Sequence, residues 1–216
     1  MKTLAKAVAV ASLVSASALT AQVANAEVSF NAAVVSDYVF RGFSFTDNGF
    51  ALQGGADYSH ESGAYAGVWA SNLDDGEDTD IEYDLYAGYG LEVSGLEIDL
   101  GYVAYKNVDF SEYDTAEVYA NVTKNAFTGS IYLDIDATDN TYISGAYSME
   151  LPEDLALDLG LGYLMVDAEG ADDIVDMSAT VSKSLEMIDV AFTVTNVDAD
   201  FGQDQTLFFL TASKEF

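Results

Sequence analysis

The chain has 216 residues, half of them hydrophobic and 12% aromatic, with 37 acidic side chains against seven basic ones and a formal net charge of −30. That balance excludes nucleic acid and other polyanions as partners, while the hydrophobic share excludes a disordered acidic chain. Cysteine is absent and a single proline, Pro152, stands against 17 glycines, so stability cannot come from disulfides and little interrupts extended backbone pairing.

Lys2 and Lys6 precede an apolar stretch from Ala7 to Leu19, and Ala24-Asn25-Ala26 follows as a small-x-small site. This order predicts a secretory signal over residues 1–26, cleaved before Glu27. The stretch is shorter than the roughly 20 apolar residues that a membrane-spanning helix needs, and every later apolar run is broken by Asp, Glu, Gly or Asn. Residues 27–216 then form one domain, with five basic against 37 acidic residues and a net charge of −32.

From Glu27 onward the hydrophobic period is two, the signature of strands with one apolar face. The first strand places Val28, Phe30, Ala32, Val34, Tyr38 and Phe40 on that face, and the second Phe50, Leu52, Ala56 and Tyr58. The third, near Ala64 to Asn72, is ambiguous in phase because Tyr65 and Trp69 oppose Ala66 and Val68. Clean alternation follows from Ile81 to Leu91, Leu96 to Ala104, Ala116 to Val122 and Phe127 to Ile135; Thr141 to Met149 is weaker. Leu155 to Met165, Val175 to Val181, Ile188 to Val194 and Thr206 to Phe216 complete a count of twelve. An even number of strands, about 10 residues each, is what a bacterial transmembrane β-barrel with both ends on one side requires.

The connections alternate in length. Gly42–Gly49, Leu73–Thr79, Asn107–Glu112, Asp167–Asp172 and Val197–Gln205 are placed outside the cell, with Ala137–Asp139 as a short exception. Ser59–Ser62, Glu92–Gly95 and Lys183–Met187 are placed in the periplasm. The acidic run Leu73 to Asp80 lacks the order of a calcium-binding hand and reads as a solvated loop, so no metal site and no cofactor are expected.

The phase opposite the apolar face holds Asp37, Asp57, Glu82, Asp84, Glu97, Asp99, Glu117, Asp134, Asp136, Asp158, Asp176 and Asp189. Arg41 is the one basic residue in that phase, placed near the mouth and facing Asp37 or simply in a turn after strand one. Lys106, Lys124, Lys183 and Lys214 fall in the apolar phase near strand ends, where long side chains snorkel to lipid headgroups; Phe216 joins them as an interface anchor. So many carboxylates cannot be buried dry. A hydrated barrel lumen accommodates them, and a negative lumen concentrates cations and excludes anions.

Catalysis finds little support. The lone His60 sits in the tight Ser59-His60-Glu61-Ser62 turn, where neighbours point apart. The acid pairs Glu82/Asp84, Glu97/Asp99 and Asp134/Asp136 lie about 7 Å apart along a strand, a spacing compatible with glycoside hydrolysis, yet their repetition describes a lining. The chain is therefore expected not to be an enzyme.

Thr206 to Phe216 presents Phe208, Leu210, Ala212 and Phe216 on one face with only Lys214 between them. It reads as a barrel-closing strand that pairs with the strand beginning at Val28 and is recognised by the outer-membrane assembly machinery. The segment Ser36-Asp-Tyr-Val-Phe-Arg-Gly-Phe-Ser-Phe-Thr46, with Gln53-Gly-Gly-Ala-Asp-Tyr58 and Ser62-Gly-Ala-Tyr-Ala-Gly-Val-Trp-Ala-Ser-Asn72, resembles the TorF family of porin-like bacterial proteins of unsettled function. The resemblance implies an outer-membrane barrel and a channel, and brings no substrate and no catalytic residues.

The expectation is thus an all-β, antiparallel transmembrane β-barrel of about 12 strands in a Gram-negative outer membrane. Its partners are the lipid bilayer, the assembly machinery and small cationic or neutral solutes, which would diffuse passively through an acidic lumen. Two alternatives stand beside it. One is a closed or filled barrel with a structural or surface-interaction role; the other is a secreted β-sandwich binding carbohydrate or calcium.

Overall fold

A computed structural model describes residues 26–74, 76–168, 171–198 and 205–216. The expected signal segment lies almost wholly outside the described residues, as do parts of the Leu73–Thr79, Asp167–Asp172 and Val197–Gln205 connections.

Fourteen strands are present among the described residues. β1 (Glu27–Val35) is followed by a miniature hairpin, β2 (Val39–Phe40) and β3 (Phe43–Ser44). β4 (Ala51–Ser59), β5 (Ala64–Asp74), β6 (Thr79–Val93) and β7 (Leu96–Asn107) come next. β8 (Thr115–Lys124), β9 (Phe127–Asp134), β10 (Thr141–Leu151) and β11 (Leu155–Met165) follow. β12 (Ile174–Ser184), β13 (Asp189–Asp198) and β14 (Gln205–Glu215) end the chain.

Apart from the miniature hairpin, these strands form one closed antiparallel barrel of twelve in which each pairs with its sequence neighbours. The ring closes where β1 meets β14, from Asn31↔Glu215 to Val35↔Thr211. Phe30 and Phe216 exchange backbone hydrogen bonds beyond that register, at 3.2 and 2.8 Å. The pairing expected of Thr206–Phe216 is therefore present. A single closed ring leaves no second sheet to pack against, so the sandwich alternative is excluded; closure also pairs the backbone groups that an open sheet would leave at its edges.

Strand alternation sends one set of side chains out and the other in. Val28, Phe30, Leu52, Leu85, Leu100, Leu161, Phe192, Phe208 and Leu210 all lie on the outer wall, from about two-fifths to two-thirds exposed. A Leu or Phe side chain left in water forgoes roughly 1.5–3 kcal/mol. A belt of such residues on every strand would exceed the whole stability of about 5–15 kcal/mol of an ordinary domain, so this surface requires an apolar covering.

The two rims differ. Tight turns join β4 to β5, β6 to β7, β8 to β9, β10 to β11 and β12 to β13, and this turn rim also carries the chain ends. Ser94 and Gly95 adopt φ of 55° and 75° in the shortest turns, as does Asn125 at 55°. The opposite, loop rim carries the longer connections. There Lys106 reaches Asp114 at 3.2 Å, and the Asn107 N–H donates to the same carboxyl at 2.9 Å. The Asn107 hydrogen bond, helped by Lys106 and against the opposing effect of burial, holds the half-buried Asp114 carboxyl below its usual range. This loop contact is intact at neutral pH and is lost only as pH falls through that lowered value.

β9 ends earlier than the apolar alternation implies. Asp134 accepts from the backbone N–H groups of Asp136 and Ala137 at 2.9 and 3.0 Å and from the Thr138 hydroxyl at 2.6 Å. These bonds turn the chain, leaving Asp136 exposed in the connection and not on the inner wall.

Candidate functional site

The connection between β1 and β4 does not stay outside. β1 leaves the wall at Ser36, whose N–H donates to the Leu210 carbonyl and whose Oγ accepts from the Leu210 N–H, both at 2.9 Å. Asp37 then ties the two legs of the hairpin together by accepting from Ser44 Oγ at 2.6 Å and Thr46 Oγ1 at 3.1 Å. Phe45 N–H donates to Tyr38 O at 2.7 Å, and Asp74 N–H to Phe45 O at 3.0 Å.

Held in this way, β2 and β3 cross the barrel just below the loop rim. On the near side the Tyr38 hydroxyl donates to Glu82 Oε1 at 2.8 Å and its ring meets Trp69 edge-on at 5.5 Å. Phe40 packs on Tyr105 with ring centroids 6.0 Å apart. At the tip, Arg41 and Gly42 take φ of 47° and 87°. Arg41 donates from Nη1 and Nη2 to the two oxygens of Glu117, each at 2.9 Å. Its guanidinium lies 4.2 Å from the centre of the Tyr142 ring, 5.5 Å from Tyr132 and 4.6 Å from its own neighbour Phe40. A Cβ on Gly42 would come within 2.7 Å of Val197 and 3.3 Å of Asp176, so the tip abuts the far wall.

Two expectations are corrected here. Tyr38 and Phe40 do not continue the outer face of strand one, because the chain turns inward at Ser36 and buries Tyr38. Arg41 faces Glu117 and not Asp37, whose carboxylate is already engaged by the Ser44 and Thr46 hydroxyls.

Below and around the hairpin, the inner wall of β4 to β10, together with Asp176 of β12, joins tyrosines to acids. Tyr65 donates to Asp99 at 2.6 Å, Tyr105 to Glu117 at 2.8 Å, Tyr142 to Asp176 at 3.0 Å, and Tyr86 to Asp57. Tyr65 and Tyr119 share a hydrogen bond at 2.6 Å, and Tyr119 stacks on Tyr132 at 5.1 Å. The rings fit because glycines stand opposite them: Gly88 pairs with Tyr65, Gly67 with Tyr86 and Gly101 with Tyr119, and a Cβ at each would overlap the ring. This resolves the third strand, in which Tyr65, Gly67, Trp69 and Ser71 face inward and Ala66 and Val68 outward. The opposite wall is different: Thr180, Ser182, Thr193, Thr195 and Thr211 line it with hydroxyls, and Thr180 and Thr193 bond each other at 2.9 Å.

Of the other acids named from the sequence, Asp57, Glu82, Asp84, Asp99, Glu117 and Asp176 lie inside the barrel. Asp158 accepts from Ser148 Oγ at 2.5 Å, and Asp134 stands at the loop rim. Glu97 and Asp189 share the inward phase at the turn rim, Glu97 exposed and Asp189 half-buried. Lys124 is exposed at a turn, Lys183 donates to the Glu153 carbonyl at 2.8 Å, and Lys214 sits 5.0 Å from the centre of the exposed Phe216 ring. Pattern reading places Tyr86, Tyr105, Tyr119 and Tyr132 in the inward phase; what it missed is the hairpin and the pairing of those tyrosines with acids and glycines. The available signal was the aromatic surplus in the inward phase, together with a lone arginine in a run where period two breaks at Ser36-Asp37.

Asp84 differs from its neighbours. It is fully buried, and neither of its carboxylate oxygens has a hydrogen-bond partner. An unpaired buried charge costs several kcal/mol, whereas a neutral isostere removes that cost. Asp84→Asn is accordingly expected to stabilise the folded barrel by about 1–3 kcal/mol, whereas Glu117→Gln, which strips Arg41 of its partner, destabilises it. Thermal unfolding in detergent checks the pair; a melting point lowered by Asp84→Asn as much as by Glu117→Gln contradicts this account.

The barrel resembles solved structures of outer-membrane porins. A KdgM porin structure superposes with a TM-score of 0.65 at 11% identity, covering 87% of this chain and 99% of that one. A second, titled as KdgM porin in complex with disordered oligogalacturonate, gives 0.60 at 10% identity, with 88% and 98% covered. At such identities the likeness concerns the fold. No curated protein matches the chain in sequence. One family model spans nearly all of it, from residue 20 to residue 215, and the chain belongs to that family, described as a bacterial protein of unknown function (Gcw_chp).

Proposed function

We propose that this protein is an outer-membrane porin-like channel for small cationic or neutral solutes, closed at its outer mouth by the hairpin that Arg41 pins to Glu117. The observation that carries the reading is the lumen's charge: buried carboxylates on β6, β7, β8 and β12, with the half-buried Asp57 and Asp158 on β4 and β11, face a single basic side chain, Arg41, among the described residues. The fold shared with porins and the apolar outer belt support placement in the outer membrane of a Gram-negative cell, reached through the predicted signal at residues 1–26. The TorF resemblance of the Ser36–Thr46 segment belongs to the same reading.

Charge distinguishes this lumen from one suited to an anionic polymer such as the oligogalacturonate named with KdgM. A carboxylate-lined passage repels such a chain and concentrates cations. Tyrosine hydroxyls keep those carboxylates on the wall, and the rings lie against glycines, which holds them aside from the axis. Lys106, Lys124, Lys183, Lys214 and Phe216 would anchor the two rims at the lipid interfaces.

Liposome swelling tests the solute preference. Vesicles carrying the protein should admit amino-amide cations and small neutral sugars faster than uronate anions of similar size; equal entry of anions contradicts the proposal. For assembly, we propose that β14 is the strand read by the insertion machinery. Deleting Phe216 is expected to reduce the amount of folded protein in the membrane several-fold while leaving unit conductance unchanged, as read by heat-modifiable migration and single-channel recording.

The hairpin across the mouth also favours the second reading, a filled barrel with a structural role. That reading requires no conductance even after the hairpin is released.

A further inference from the structure

The contacts of Arg41 divide into those made by the hairpin and those made by the wall. Only Phe40 belongs to the hairpin; Glu117, Tyr132 and Tyr142 stand on β8, β9 and β10. The wall residues are fixed without Arg41. Tyr105 orients the Glu117 carboxylate through its hydroxyl at 2.8 Å, Tyr132 is stacked on Tyr119, and Tyr142 is tied to Asp176 at 3.0 Å. The wall thus presents a carboxylate, 5% exposed with Arg41 in place, whose two oxygens face a planar fork flanked by two aromatic faces.

We propose that this Glu117–Tyr132–Tyr142 cage is a binding site for guanidinium-bearing organic cations, and that Arg41 is its resident, intramolecular occupant. The chemistry selects a guanidinium over an ammonium. Two parallel N–H···O bonds of 2.9 Å need a planar donor with two N–H groups on one edge. Rings 4.2 and 5.5 Å away take the flat cationic face. A compact ammonium can make the charge contact but neither the fork nor the stacking.

Binding by an external guanidinium then requires Arg41 to leave, which couples occupancy of the cage to release of the hairpin. The inference deepens the channel reading by naming a solute class, yet the binding step does not depend on conduction.

The test uses the full folded chain in detergent. In Arg41→Ala the cage is vacant, and methylguanidinium is expected to bind it at millimolar concentration and raise its melting temperature. Methylammonium should bind about tenfold or more weakly, the equivalent of one lost charge-assisted hydrogen bond. The double variant with Glu117→Gln should lose the methylguanidinium effect. Should Arg41→Ala not fold, Arg41→Gln vacates the fork while keeping much of the side chain's bulk, and calorimetric titration reads the same contrast.

In the wild type, methylguanidinium should also shift the emission of Trp69, the chain's one tryptophan, because Trp69 touches Tyr38 of the hairpin. Equal binding of methylguanidinium and methylammonium to Arg41→Ala, or binding that survives Glu117→Gln, would overturn the proposal. Guanidinium binding by a protein that never conducts would instead leave the cage standing and remove the channel reading.

Discussion

Replacing Arg41 with alanine is expected to open the barrel. The substitution removes the two 2.9 Å bonds to Glu117 and the stacking on Tyr132 and Tyr142. It leaves the tip held by weaker contacts such as the Gln205 amide on the Gly42 carbonyl at 3.4 Å. Removing one partner of a buried, hydrogen-bonded ion pair costs about 3–5 kcal/mol. The lower part of that range, a closed-state loss of about 3–4 kcal/mol, shifts the closed-to-open ratio by roughly 10²–10³. Tyr38→Phe removes only the bond to Glu82 at 2.8 Å and should shift it about tenfold or less.

Open probability in planar bilayers reads both effects. The Arg41→Ala, Glu117→Gln double variant should open no further than the more open of the two single variants, because one interaction is lost only once. A channel equally closed with and without Arg41 would contradict a mouth pinned by this pair.

Gly88→Val is expected to have the second largest effect. A Cβ at Gly88 would overlap the Tyr65 ring and come within 2.7 Å of the Leu100 carbonyl, a backbone atom that cannot swing aside. Tyr65 would have to leave the wall, taking with it its bonds to Asp99 and Tyr119, both 2.6 Å. Asp99 would keep Asn121 alone, at 3.1 Å. Overpacking of this kind costs about 1–3 kcal/mol, and the displaced ring projects into the passage. Lower thermal stability and lower conductance in the hairpin-released channel should therefore appear together. Gly129→Val is the control, since a Cβ there meets nothing within 4 Å; equal losses from the two substitutions would show that the tyrosine layer is not the cause.

The barrel was legible in the sequence because its two faces meet different media. Phe208, Leu210 and Ala212 alternate with Leu207, Phe209 and Thr211, and the outer set must be apolar along the whole wall. Twelve such runs, with closure of Thr206–Phe216 onto the first, follow from that rule, which is physical and local. The interior follows no such rule. An inward residue can be an acid, a tyrosine or a glycine according to what stands across from it, as Gly88 opposite Tyr65 demonstrates. Phase alone therefore left the third strand ambiguous.

The hairpin was hidden for a related reason. Tyr38 and Phe40 look like more of an outer face, and only the contacts of Tyr38 with Glu82 and Arg41 with Glu117, 44 and 76 residues away, turn the segment inward. Asp136 was misassigned because the turn that Asp134 nucleates with Thr138 ends the strand one residue before Ile135 could prolong it.

The central claim is a cation-preferring passage lined by carboxylates and closed at one end by a single arginine. Its most direct test is the reversal potential of Arg41→Ala in a planar bilayer under a salt gradient, compared with the same channel carrying Asp57→Asn and Asp99→Asn. The account predicts a potential of cation-selective sign that falls toward zero when the two carboxylates are neutralised. A potential of anion-selective sign, or no conductance from the folded Arg41→Ala protein, would contradict it.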